Sequence, residues 1–454
     1  MAESELPNDL NLWIEETADG RLIQATRRPG GARREAWYVD IEKKNGEVEE
    51  LFLRLDRSLR SETGDPYSSL RETEVYLALQ NTSVPVPAIH GVLKSPQAVL
   101  SDRIDGDTWF SQIQDPDEQL SVAQDFMHHL AALHRIDPHS LDIPALGSVP
   151  TARESALREI DAWENLYQAA QAGPHPLIEF SLRWARQNIP DYEGPVVLVQ
   201  GDTGPGNFLY AEGKVTTIVD WELAHWSDPM DDIAWLSLRA VQEPFTHLPD
   251  RLREYEQLSG HPLDEKRIRF YQIMAELRIA IMGHQEMKHR SSDREVGNGL
   301  IFGALHERLL VECLAKSIDL KLDPPKPPLP LETDRSWLYD AALDQIRSVI
   351  VPKSEDPFVI LRAKGIARIL KHLRDADSMG QEFEAQEKAD LETLIGEHFE
   401  DAAQGQSVLV DRMRDGSLPA QALIHFFYRK AMRRTELVRS ASGALAERHY
   451  PALF

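Results

Sequence analysis

Cysteine is nearly absent: the 454-residue chain has one, Cys313. No disulfide can form within it, which fits a reducing compartment. Cys313 shares a helical pattern with Leu305 and Leu309 and reads as a buried thiol, not a nucleophile. Basic charge is scarce too, with 50 Lys and Arg against 74 Asp and Glu, a net charge of −24. Nucleic-acid binding needs a basic footprint, and anionic lipid attracts basic clusters; both are disfavoured. Long apolar runs are missing, and none approaches the roughly 20 residues of a membrane helix. The opening MAESELPNDL has neither the basic nor the apolar region of a signal peptide. The expectation is a soluble, cytoplasmic protein without nucleic-acid or membrane partners. The length allows two to four domains.

What is present falls into segments. Residues 21–104 read as strands with one helix. AWYVDI and ELFLRL have strand-like lengths, and Asn45-Gly46 between them is a hairpin signal. SSLRETEVYLALQ has helical spacing behind the candidate caps Ser68 and Ser69. VPVPAIHGVL and QAVLSDRI return to strands. Residues 118–320 are mainly helical, with one strand-rich interruption. PPKPPLPLE, Pro324 to Glu332, carries five prolines and reads as a stiff linker. Beyond it SWLYDAALDQIRSVIV, PFVILRAKGIARILKHL, EKADLETLIGEHF and PAQALIHFFYRKAMRRTELV each show an apolar face, predicting four helices.

The interruption, VVLVQGDTGPGNFLYAEGKVTTIVDWELAHWSDPMDDIAWL, holds the chemistry. Asp202 follows one apolar strand. Gly204, Pro205 and Gly206 force a tight loop, and Asn207 follows it. A hairpin then leads to Asp220 at a second strand end. Two acids and an amide suit a hard, oxygen-seeking cation such as Mg²⁺. The remaining acid can orient and deprotonate a hydroxyl. That set matches the working parts of phosphoryl transfer. The plainer alternative, that each residue only caps a turn, explains any one of them better than all three in this order.

QGDTGPGNFLY, IVDWE and DPMDDIAWL together resemble the aminoglycoside phosphotransferase and choline-kinase-like family, over about residues 20–320. The resemblance implies an α+β, two-lobed protein-kinase-like fold: a small antiparallel sheet lobe, a larger helical lobe, then a C-terminal helical bundle. The matching boundaries are 1–102, 103–323, a linker at 324–331, and 332–454. It makes Asp202 the catalytic base and Asn207 and Asp220 metal ligands. Gln200 stands where the family commonly has a structural histidine. PGGARREAWYVDI resembles the nucleotide loop, with Gly30 and Gly31 admitting phosphates; Arg33 replaces a common serine. Arg54 takes the place of the phosphate-binding lysine, with Glu72 as its partner and Glu74 as second choice. Without the resemblance Arg54 is an ordinary solvated strand residue. Asp102, Arg103 and Ile104 fall at the hinge that meets the nucleobase.

The implied cofactors are Mg²⁺ and ATP, with GTP as alternative donor. The implied partner is a small molecule with a hydroxyl. His128, His129 and His134 lack the i, i+4 spacing of a helical metal pair. Asp228 and Asp232 read as anchors of the following helix, and Glu222 as an extra metal contact. Arg278 interrupts the apolar stripe of Ile273, Met274, Leu277 and Ile281. Its segment loosely resembles the branch linked to acyl-CoA dehydrogenases, which implies an anionic hydroxy acid or hydroxyacyl acceptor. The last helices loosely resemble a helical domain of unknown function found beside such kinases, with a partner-docking, homodimerisation or pocket-covering role. The rival reading is a nucleotide-binding pseudokinase or scaffold, marked by Gln200 and Arg54.

Overall fold

The structure, a computed structural model, describes residues 6–28, 35–56, 68–288 and 295–454. A helix absent from the sequence expectation comes first, α1 (Asn8–Ala18). Strands β1 (Gly20–Arg28), β2 (Glu35–Lys43) and β3 (Val48–Asp56) follow, then α2 (Ser69–Leu79), β4 (Ile89–Lys94) and β5 (Gln97–Asp102). They form one antiparallel sheet in the order β1-β2-β3-β5-β4. Alternation decides what each face does. Leu51, Leu53 and Leu55 point to a core shared with Trp37, Val39, Ile41 and the α1 residues Leu10 and Ile14. Arg54, on the same strand, belongs to the opposite face. Gly46 closes the β2–β3 hairpin at φ +85°, and its amide donates to Lys43.

The chain continues with α3 (Pro116–His134), α4 (Ala152–Ala170) and α5 (Pro176–Gln187). Short strands β6 (Val197–Val199), β7 (Phe208–Ala211), β8 (Lys214–Ile218) and β9 (His225–Ser227) pair as β6 with β9 and β7 with β8. Next come α6 (Met230–Gln242), α7 (Leu248–Ser259), α8 (Glu265–Lys288), α9 (Val296–Ser317) and α10 (Ser336–Gln345). The C-terminal part adds α11 (Pro357–Ile395), α12 (Ala402–Arg414) and α13 (Ala420–Glu436). Two of the four helices expected there are one: α11 runs 39 residues without a break. The intervening DADSMGQEFEAQ is built mostly of good helix formers, so nothing stops the helix. α12 had no counterpart in the expectation.

Packing groups the chain into two compact units. The first is Met1–Ser155 with Tyr192–Glu265 and Pro451–Phe454; the second is Ala156–Asp191 with Lys266–Tyr450. These units group the chain differently from the expected 1–102, 103–323, 324–331 and 332–454. Residues 324–331 carry no helix or strand, but the helices beyond them share a unit with α5, α8 and α9. The reason lies in α9, where every residue from Ala304 to Ala315 is buried. A helix buried on all sides needs cover on all sides, and its polar members His306, Glu307, Arg308 and Glu312 need partners there. α13 and α11 supply part of it, while Phe427 meets Phe180 of α5 at 5.7 Å between ring centroids.

Candidate active site

Strand β6 is fully buried and delivers the chain to Gln200, Gly201 and Asp202. Gly201 sits at φ +80°, where a Cβ would come 2.4 Å from the Leu223 carbonyl oxygen; only glycine fits. The fully buried Asp232 of α6 grips this entry, taking the amides of Gln200 and Gly201 at 2.9 Å each. It also meets Nε2 of His134 at 3.0 Å, whose Nδ1 lies 2.6 Å from the Tyr255 hydroxyl. Asp232 thus anchors the loop as well as the helix. Asp228 takes the Met230 amide at 2.9 Å in the turn that leads into α6, whose N-cap position is Pro229. The Gln200 side chain donates to the Val219 carbonyl at 2.7 Å. It thereby ties the loop of Asp202 to the loop of Asp220, a structural bond that suits the position of the family histidine.

Asn207 follows the glycine-proline turn. Its amide nitrogen donates to the Asp202 carbonyl at 2.7 Å, so the amide oxygen is the atom it can offer a cation. The Asn207 carbonyl takes the Val219 amide at 3.0 Å, so Asn207 lies across from the chain entering Asp220. Asp220 adopts φ +66°, unusual for a residue with a side chain. Such strain, of order 1–3 kcal/mol, persists where the surroundings over-determine it. Here the Asp220 amide donates to the Tyr76 hydroxyl at 3.2 Å, and one carboxylate oxygen takes Nη2 of Arg54 at 3.2 Å.

Arg54 stands on β3 opposite Ala36 on one side and Val99 on the other. Its other terminal nitrogen bonds Glu72, which is almost wholly buried on α2. The Ser68 hydroxyl accepts the Arg71 amide and starts that helix. Tyr76, one turn beyond Glu72, shares its face. Burial opposes the Arg54 charge, and Glu72 and then Asp220 outweigh it, holding the guanidinium protonated. Burial, with help from Glu72, pushes the Tyr76 phenol well above its ordinary value, so it stays a neutral hydroxyl. Glu74 faces elsewhere and takes the Ala145 amide at 2.6 Å. Glu222 adds its charge near Arg54.

Asp202, expected as the catalytic base, is already held by a protein cation. Arg239 of α6 holds it with both arms: Nε donates to Oδ1 at 2.7 Å, and Nη2 bonds Oδ2. Burial raises the Asp202 carboxyl above its ordinary value, Arg239 pulls it down, and Asp220 adds to the rise. Arg239 was not singled out in the sequence, although a signal existed. It lies seven residues after Asp232, so both project from one face of α6.

Gly30, Gly31 and Arg33 lie outside the described residues. Of the hinge residues, the Asp102 amide donates to Ala88 at 2.9 Å and the Arg103 amide to Glu50 at 3.4 Å. Among the described residues the Ile104 amide makes no such backbone bond. His134 is committed to Asp232 and Tyr255, and no group of three or more His, Cys, Asp or Glu gathers as a metal site among the described residues. An Asp–Asn pair of oxygen ligands still suits Mg²⁺, through the Asn207 amide oxygen and the Asp220 carboxylate.

Arg278 does not keep its expected role. Its side chain is 1% exposed, and Nη2 lies 3.2 Å from Glu159, so a protein carboxylate already balances it. A buried guanidinium needs an anion, and the fold supplies one. Arg278 is therefore not left to bind an anionic acceptor.

A sequence profile described as the Phosphotransferase enzyme family matches residues 24–271, more than half of the chain. The protein belongs to this phosphotransferase family. Acyl-CoA dehydrogenase family member 11 of Rattus norvegicus is 29% identical over 158 residues, covering 34% of this chain and 20% of the relative. A probable acyl-CoA dehydrogenase of Arabidopsis thaliana is 28% identical over 251 residues, 46% of this chain and 30% of that protein. The chain thus spans only a fifth to a third of the length of these relatives. Among solved structures, a thermostable mutant of aminoglycoside phosphotransferase APH(4)-Ia in its apo form aligns with 68% of this chain and 98% of its own, at 17% identity and a TM-score of 0.49. The streptomycin–ATP complex of APH(2")-IIa covers 62% and 90%, at 14% identity and a TM-score of 0.46. No helix among the described residues is long and apolar enough to cross a membrane.

Proposed function

We propose that the protein moves the γ-phosphoryl group of ATP to the hydroxyl of a small molecule, with Mg²⁺ as cofactor. One observation carries this reading. Within one compact unit, Asp202 follows a buried strand, Asn207 has its nitrogen already bonded, Asp220 is held at positive φ, and Arg54 lies between Glu72 and Asp220. Asp202 orients the acceptor hydroxyl and takes its proton as the new oxygen–phosphorus bond forms and ADP leaves. Arg54 donates to phosphate oxygens from its forked guanidinium, while Glu72 keeps it in place. The oxygens of Asn207 and Asp220 hold Mg²⁺, which when bound neutralises charge on the phosphates. The Ile104 backbone meets the nucleobase. GTP is the alternative donor.

For the acceptor, the similarity to acyl-CoA dehydrogenase family member 11 makes hydroxyacyl thioesters and hydroxy acids the first compounds to try. The test is ATP consumption with Mg²⁺ across hydroxy acids, their coenzyme A thioesters and amino sugars. Product phosphorylation that disappears in Asp202→Asn supports the reading. Nucleotide binding with no phosphorylated product in any class would leave a nucleotide-binding scaffold instead.

A further inference from the structure

We infer that Arg239 is the positioning residue for this transfer: it holds the Asp202 carboxylate in the orientation that receives the acceptor hydroxyl. The inference rests on the phosphotransferase reading of Asp202 and adds a residue to it. Three observations support it. One face of α6 handles the loop twice. Asp232 binds the amides of Gln200 and Gly201, and Arg239, two turns later, binds the Asp202 carboxylate. The backbone entering Asp202 and the orientation of its side chain are thus set by a single rigid element, which is how a reacting group is held within a fraction of an ångström.

The loop is also shaped around the arginine. Gly204 sits at φ +137°, and a Cβ there would lie 2.8 Å from Cβ of Arg239. A side chain at 204 would push the helix and the loop apart, so the close approach of Arg239 is built into the turn.

The pair remains usable. A carboxylate offers about four lone-pair sites, and a bidentate guanidinium occupies one on each oxygen. The Asp202 and Arg239 side chains keep 16% and 21% of their surface exposed. An acceptor hydroxyl can therefore donate to a remaining lone pair without displacing Arg239. By contrast, Arg308 of α9 is 2% exposed and holds the Arg448 carbonyl at 2.6 Å, where only a bracing role is open to it.

The test is steady-state kinetics of Arg239→Lys and Arg239→Met, alone and combined with Asp202→Asn, on whichever acceptor the wild type phosphorylates. Both single variants should lose roughly ten- to a hundredfold in kcat, with the KM for ATP unchanged within about twofold. Lysine keeps the charge but not the fork, so it should restore little. With Asp202→Asn present, Arg239→Met should cost nothing further, because the residue acts only through Asp202. Guanidinium ion added to Arg239→Ala should recover part of the rate. A further loss in the Asp202→Asn background, or a fall in ATP affinity as large as the fall in kcat, would overturn the inference. So would an unchanged kcat, which leaves the phosphotransferase reading standing. A wild type that binds nucleotide and phosphorylates nothing removes both.

Discussion

Three arginines in two regions make the same kind of bond and do different things with it. Arg54 and Arg239 of the first unit, and Arg278 of the second, each meet a carboxylate. Arg54 and Asp220 keep 27% and 33% of their side chains exposed, while Arg278 keeps 1% and Glu159 12%. A sealed pair of that kind is a brace, and removing either member strands the other in a low-dielectric interior. A half-open pair retains lone pairs and N–H groups for a ligand. An arginine interrupting an apolar helix face is thus a poor sign of a substrate. The better sign is a carboxylate at the end of a buried strand, in a loop bent by glycine.

The comparison can be broken at several points. Asp220→Ala should have the largest effect, a loss of turnover of about 10⁴-fold or more, with a change in stability of only about 1 kcal/mol because alanine inherits the left-handed backbone. Retained turnover would remove Asp220 as a metal ligand. Asp202→Asn should lower kcat on the order of 10³-fold and leave nucleotide affinity intact by calorimetry. Arg278→Met should leave activity per folded molecule unchanged but cost about 3 kcal/mol in denaturant unfolding. A rise in the acceptor's KM well beyond that of ATP would return Arg278 to the acceptor site. Arg54→Ala should raise the KM for ATP roughly 30-fold, the worth of a charge-assisted contact to phosphate. An effect confined to the acceptor would contradict that assignment.

The smallest effect concerns His175 of the second unit. Its Nδ1 is buried without a partner among the described residues, and burial lowers the imidazole to about 4. The unfolded chain then takes up the proton first as pH falls, so the unfolded state binds more protons between the two values. The His175 contribution to stability should be flat above pH 7 and drop by about 1.5 kcal/mol between pH 6.5 and 5. His175→Gln should flatten that slope in unfolding titrations; an unaltered slope would place the titrating group elsewhere.

The local parts were readable from the chain alone. Alternation located β2 and β3, Asn45-Gly46 located their hairpin, Ser68 marked the start of α2, and the spacing from Asp202 through Asn207 to Asp220 picked out the candidate site. These signals work because strand period, turn chemistry and capping act over a few residues. They missed α1 and α12, and they placed a break inside α11, where no stop signal exists. Periodicity also showed that Arg278 faces an apolar surface, but not what stands across from it.

Only the tertiary structure decided the partners. It set Glu159 against Arg278, Arg239 against Asp202, and Glu72 and Asp220 on either side of Arg54. It also placed the helices beyond the prolines in one unit with α5, α8 and α9. The chain itself determined that two acids and an amide would stand at the ends of buried strands, because turn residues and apolar runs are written locally. Which charges meet them depends on elements far apart in sequence, whose apolar faces must first find one another before the ion pairs between them can exist.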